Sequence, residues 1–169
     1  KCLDSPGPRR RWLRAIRTLE SDENFAEMNL TDLGSLRGKE LTDSAGNLLR
    51  RMSSGHAIVL LTVTKLVEKV EEKTLVLLDE PESHLHPPLL SAFTRALSEL
   101  LTDRNGVAII ATHSPVVLQE VPTSCVWKVT RSRLQASISR PAVETFGENV
   151  GILTREVFGL EVVKSGYHT

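Results

Sequence analysis

Residues 74–87 read TLVLLDEPESHLHP. An apolar stretch, Leu75 to Leu78, runs straight into Asp79 and Glu80, with Glu82, His84 and His86 close behind. A short continuous apolar run with β-branched members is the pattern of a central parallel strand buried on both faces. VAIIA at 107–111 has the same character and is followed by Thr112 and His113. Between the two runs, Pro87 and Pro88 open a helix over 88–102 with Phe93, Ala96, Leu97 and Leu100 inward, and Asn105-Gly106 stops it. Strand, helix and strand in this order make a βαβ unit with a right-handed crossover, so the expected fold class is α/β.

Working outward, LLRRMSSGHAIVLLTVTKLVEKVEEK (48–73) contains a helical pattern interrupted at Ser53, Ser54 and Gly55 and resuming near His56. Leu60, Val63, Val67 and Val70 share a face, and Ile58, Leu61 and Leu66 widen it, which predicts a largely buried helix. Near the start, KCLDSPGPRR reads as a loop. Trp12, Leu13, Ile16 and Leu19 then recur at helical spacing, with Arg10, Arg14 and Arg17 on the other face. Ser21 or Asp22 caps a second short helix through Phe25 and Met28. Downstream, SCVWKV and LQASIS read as short strands and GILTREVFG as a helix. Three segments are expected: a helical segment over 1–47, a core over 48–140 and a helical extension over 141–169.

The chain of 169 residues is 40% hydrophobic and 25% charged, which suits one globular domain able to bury a core without disulfides. Formal net charge is zero, so no whole-chain field draws it to nucleic acid or membrane. No run approaches a transmembrane span and no signal-peptide pattern is present, which predicts no membrane association. Two cysteines, Cys2 and Cys125, lie far apart without zinc-site spacing, favouring a reducing, cytoplasmic setting. Cys125 is expected as a buried small hydrophobe in a strand, and Trp12 and Trp127 as packing residues. A first residue of Lys rather than Met suggests a fragment or processed product.

Ligands of open parallel sheets sit outside the carboxyl ends of the strands. Adjacent strands would bring Asp79, Glu80, Thr112 and His113 to one such edge. An Asp-Glu pair there suits Mg²⁺-dependent phosphate chemistry, the Asp serving the ion or its waters and the Glu positioning and deprotonating a water. MSSGH (52–56) at the start of a helix offers free N–H groups, a hydroxyl and the positive end of a helix dipole to a terminal phosphate. H-x-H at His84 and His86 invites a metal-ligand reading, but neither further ligands nor H-x-x-E-H accompanies it, so an interface loop is expected instead. The basic groups at 9–17 and Lys128, Arg131, Arg133 and Arg140 read most simply as solvated faces.

These elements, in this order and spacing, resemble the C-terminal half of an ABC-type, AAA_21-like ATPase head. MSSGH resembles the signature motif, TLVLLDE Walker B, SHLHP the D-loop and ATHSP the switch histidine. The wording DEPESHLHP…IIATHSP looks closest to the overcoming-lysogenization-defect and SMC-like branch. The tail ETFGENVGILTREVFGLEVVKSGYH (144–168) is similar to the ATPase subunit of Septu and retron anti-phage systems. The resemblance implies a parallel-sheet P-loop NTPase core in which two heads sandwich ATP. Asp79 would serve Mg²⁺, Glu80 would be the general base and His113 would contact the γ-phosphate and catalytic water. Ser53, Ser54 and Gly55 would touch the γ-phosphate in trans, and Ser83, His84, Leu85, His86 and Pro87 would cross the dimer interface. Implied partners are a second copy or a higher oligomer, a nuclease subunit, and DNA or RNA, in phage defence or genome maintenance.

Two departures from the pattern stand out. Ser54 and His56 replace the usual Gly and Gln or Glu of the signature, which puts the role of His56 in doubt. The sequence also holds no G-x-x-x-x-G-K-[ST]. Gly34-Ser-Leu-Arg-Gly38-Lys39-Glu40 has one residue too few and Glu where Mg²⁺ needs a hydroxyl. The phosphate cradle is therefore expected upstream, and this chain alone should hydrolyse ATP negligibly. Competing readings are a transporter's nucleotide-binding subunit, an ATP-gated assembly module with little turnover, and a metal-dependent nuclease built on the histidines.

Overall fold

A computed structural model of the chain describes residues 3–133 and 135–159. Two compact units make it up, Lys1–Thr112 and His113–Thr169. They cut across the three segments expected from sequence, because the N-terminal helices share one core with the helices that follow. The end of the expected helical extension, residues 160–169, lies outside the described residues.

In the first unit, α1 (Pro6–Leu19) begins with prolines in its opening turn, where the missing N–H costs nothing. It buries Trp12, Ala15, Ile16 and Leu19, as its periodicity predicts. Trp12 Nε1 donates to Thr64 Oγ1 at 2.9 Å, so the indole packs without stranding its donor. Asp22 caps the single turn α2 (Glu23–Ala26) by accepting from Phe25 N–H. A 3₁₀ turn over Leu30–Gly34 follows, then α3 (Gly38–Leu49), which has no fully buried residue. Helix α4 (Ser54–Lys69) starts two residues earlier than expected, because Ser53 rather than a residue nearer His56 acts as its N-cap.

Strands β1 (Leu75–Asp79) and β2 (Val107–Ala111) pair in parallel, in register from Leu75 opposite Val107 to Asp79 opposite Ala111. Helix α5 (Pro87–Asp103) crosses over between them, so the βαβ unit is present. Gly106 accommodates the return into β2, where its Cα sits so close to Thr74 O and Leu101 that a Cβ would lie 3.0 Å from each. The main core joins α1, α4 and α5 through Ile16, Leu19, Val59, Val63, Leu89 and Phe93. A smaller cluster of Val70, Val76, Leu97 and Leu101 seats one face of the sheet on the helices.

The expectation of strands buried on both faces is corrected. Leu75, Leu77, Val107 and Ile109 stand open on the other face, Leu77 at 69% exposure. Strand periodicity explains the split: alternate residues point to opposite faces, and helices cover only the face carrying Val76, Leu78, Ala108 and Ile110. Helix α4 is likewise less enclosed than its composition suggests, since Ile58 and Leu61 are exposed. Among the described residues, no helix is long and apolar enough to cross a membrane.

The second unit holds α6 (Pro115–Gln119), an antiparallel pair β3 (Lys128–Ser132) and β4 (Gln135–Ser139), and α7 (Val150–Phe158). Its core is Leu118, Val126, Leu153 and Val157. Helix α7 has local start and stop signals: Asn149 accepts from Gly151 N–H, and Gly159 ends it at φ 70°. Two residue-level expectations fail here. Cys125 lies in a 3₁₀ turn (Thr123–Cys125) and is exposed. Trp127 is 60% exposed, its ring covered by the Arg140 guanidinium 3.5 Å from the centroid.

Candidate functional site

The acidic pair sits where the parallel register places it. Asp79 is the last residue of β1, opposite Ala111, and shares by alternation the open face of the sheet with Leu75 and Leu77. Glu80 follows in the left-handed region, at φ 43° and ψ 56°, with its N–H bonded to Ala111 O at 2.8 Å. A non-glycine residue held there costs about 1–3 kcal/mol and persists only where surrounding contacts over-determine it. Those contacts are present. Besides the Ala111 bond, Glu80 O accepts from both Ser83 N–H and Ser83 Oγ, at 3.2 and 2.9 Å. Thr112 Oγ1, just past β2, donates to Glu82 Oε1 at 2.7 Å and ties the loop to the neighbouring strand end. Both Asp79 and Glu80 are exposed.

Pro81–His84 form a 3₁₀ turn leading to His86, the residue just before α5. Of the five residues expected at an interface, Leu85 packs against this chain's own core. His86 bonds inward, and Ser83 is committed to Glu80. His84 and Pro87 are exposed.

At the start of α4, Ser54 is exposed beside the helix N-terminus, where the dipole favours an anion. Ser53 is exposed as well, but its hydroxyl is engaged at 2.5 Å by His56 Nδ1. Gly55 is buried, and a Cβ built on it would lie 2.6 Å from His84 O. The glycine is therefore required by the close passage of the loop after Glu80, while Ser53 and Ser54 are the exposed residues of this turn. Asp79 and Ser54 fit a Mg²⁺ ion and a phosphate by exposure and donor chemistry. His113 opens the second unit, directly after Thr112.

A third group joins His86, expected at the interface, to His56 and to Asp22, a combination the expected site does not contain. His56 Nε2 meets Asp22 Oδ1 at 3.1 Å, and His86 Nε2 meets Asp22 Oδ2 at 2.8 Å. Asp22 and His56 are buried, while the His86 side chain is 42% exposed. His56 also stacks at a tilt on Phe25 and on His86, at centroid distances of 5.4 and 5.5 Å. Burial acts to raise the Asp22 carboxyl, but bonds from His56, Phe25 N–H and His86, with the His86 charge, outweigh it and hold the group below its ordinary value. Sequence reading gave Asp22 only a capping role, which it does fill, and left His56 without one. The visible signal was H-x-H, but the partner of His86 is His56, thirty residues away, not His84.

Residues 15–119 match the family described as "AAA domain, putative AbiEii toxin, Type IV TA system". The chain is also 60% identical, over 184 aligned residues and 99% of its length, to protein ea59 of Escherichia phage lambda. It spans 35% of that protein. An AAA-type domain points to nucleotide binding and ATPase activity, usually with Mg²⁺, and the small parallel sheet is consistent with a P-loop NTPase fold. The family match covers well over half of the sequence, so the chain belongs to this AAA domain family.

Proposed function

We propose that this chain supplies the water-activating part of a Mg-ATP site that forms between two copies of the whole protein. The observation that carries the reading is the parallel β1–β2 register, which ends in an exposed Asp79-Glu80 pair braced by the end of β2. Bound Mg²⁺ would neutralise charge on the nucleotide phosphates and orient them. In this reading Asp79 holds the ion or its waters. Glu80 accepts the proton of the attacking water, in the strained position that its backbone bonds enforce. Ser54, with the N-terminus of α4, donates to the γ-phosphate of the ATP held by the other copy. Ser53 and Gly55 shape that turn, Ser53 through His56 and Gly55 by letting the His84 carbonyl pass.

His113 would contact the γ-phosphate, a role resting on its place in ATHSP. Ser83 to Pro87 would reach the partner copy chiefly through His84 and Pro87, because Leu85 and His86 are engaged within the chain. Hydrolysis would switch an attached nuclease or nucleic acid, in phage defence or genome maintenance.

The test uses the whole protein and its size in solution with and without ATP and Mg²⁺. Glu80→Gln should accumulate an ATP-bound dimer that wild type forms only transiently. A Glu80→Gln protein that stays the same size with ATP, or turns it over like wild type, would overturn the reading.

A further inference from the structure

The Asp22, His56 and His86 cluster is built from three distant segments: the corner after α1, the first turn of α4 and the loop before α5. One ligand atom from each lies within 4.8 Å of the other two. We infer that this cluster is a site for a divalent transition-metal ion of the Zn²⁺ class, bound by His56 Nε2, His86 Nε2 and an Asp22 carboxylate oxygen. The inference goes beyond the ATP reading and does not depend on it.

Three features carry the assignment. The first is the donor set. Two imidazole nitrogens and one carboxylate oxygen suit Zn²⁺ and its first-row neighbours, whereas Mg²⁺ prefers oxygen alone. The second is spacing. Bonds of about 2.0–2.2 Å at a tetrahedral centre separate ligand atoms by roughly 3.3 Å. The two nitrogens lie 3.1 and 2.8 Å from oxygens of the same carboxylate, and one ligand atom from each residue lies within 4.8 Å of the others, so side-chain adjustment alone would bring three ligands round one ion.

The third is the surrounding support. A metal-binding histidine ordinarily donates its other ring N–H to an oxygen, which fixes the tautomer. Without an ion His56 Nε2 donates to Asp22 Oδ1; an ion would take the place of that proton, and a proton on Nδ1 would then donate to Ser53 Oγ, 2.5 Å away. Asp22 Oδ1 accepts Phe25 N–H at 3.1 Å, a bond that orients the carboxylate while Oδ2 faces His86. Asp22 and His56 are buried, but His86 is half-exposed, which gives an ion a way in and leaves a position for water. Bound there, the ion would fasten the turn carrying Ser53 and Ser54 to the loop that follows Glu80.

The test is direct metal binding by the 169-residue chain after removal of metal with a chelator. Co²⁺, whose visible absorption reports coordination number, is titrated in and then displaced by Zn²⁺. The expected result is one equivalent of Co²⁺ with intense four- or five-coordinate bands, displaced by one equivalent of Zn²⁺. His86→Ala, which removes a half-exposed side chain, should weaken binding about a hundredfold or more. Asp22→Asn should do the same, with far-UV circular dichroism confirming that it folds. His84→Ala should bind like wild type. Wild-type chain giving only the weak spectrum of hydrated Co²⁺ would overturn the assignment. So would unchanged affinity in His86→Ala, or an equal loss in His84→Ala, which would place any ion on the exposed H-x-H loop.

Discussion

Two groups of acids and their partners in the first unit were assembled in opposite ways. Asp79 and Glu80 are neighbours in sequence, exposed, and held by the backbone of two paired strands. Asp22, His56 and His86 are scattered along the chain, mostly buried, and held by one another's side chains. The first arrangement leaves reactive groups open to a ligand and puts the rigidity in the main chain. The second places a carboxylate at the junction of three segments, where it also caps a helix. Function at the strand end should therefore be separable from stability, while at the buried cluster the two are fused.

The largest expected effect tests the separable half. In the whole protein, Glu80→Gln should lower ATP turnover by about a hundredfold or more, the scale of losing a general base. Its thermal midpoint should stay within a few degrees of wild type. A large fall in midpoint would break the contrast. At the buried cluster, Asp22→Ala removes a cap and leaves the Phe25 N–H and a buried His56 nitrogen without their acceptor. The loss should be about 3 kcal/mol in denaturant unfolding, and a value under half that would mean the segments hold together without it.

Gly55→Ala probes the seam between the two groups, because its methyl meets the His84 carbonyl, a backbone atom. A cost of about 2 kcal/mol is expected from the forced shift, read as a lowered denaturant midpoint at unchanged slope. Glu144, in the second unit, gives a smaller effect from an exposed carboxylate held by backbone N–H groups. Its Oε1 accepts from Thr123, Thr145 and Phe146 N–H, at 2.9, 2.9 and 3.1 Å. The Thr123 bond leads in holding this exposed carboxyl below its ordinary value. Its contribution is thus present above about pH 4.5 and is lost as pH falls through the lower folded value. Protection of those amides from hydrogen exchange, relative to Glu144→Gln, should vanish in acid and be full near neutrality. His84→Ala should change stability least, by less than about 0.5 kcal/mol.

What was legible from sequence follows the same division. The βαβ unit, the strand-end position of Asp79 and Glu80 and the cap at Asp22 depend on residues within a few positions of each other. Periodicity and turn chemistry report such features directly. The open face of the sheet was not legible, since an apolar run such as LVLL says that a strand could be covered twice, not that a second cover is present. Nor was the joining of Asp22 to His56 and His86, 34 and 64 residues away, because side-chain convergence across three segments leaves no spacing rule in the chain. Trp127 misled for a related reason. An aromatic ring can be covered by a guanidinium at the surface as well as by a core.

The left-handed backbone at Glu80 has an evolutionary consequence. Glycine occupies that conformation without strain, so Glu80→Gly would relax the turn while deleting the proposed base. Selection for a sturdier fold alone would push this position away from an acid. The strain lies in the backbone and not in the carboxylate, so a side-chain exchange such as Glu80→Gln leaves stability alone, and only glycine would gain stability at the cost of the proposed base.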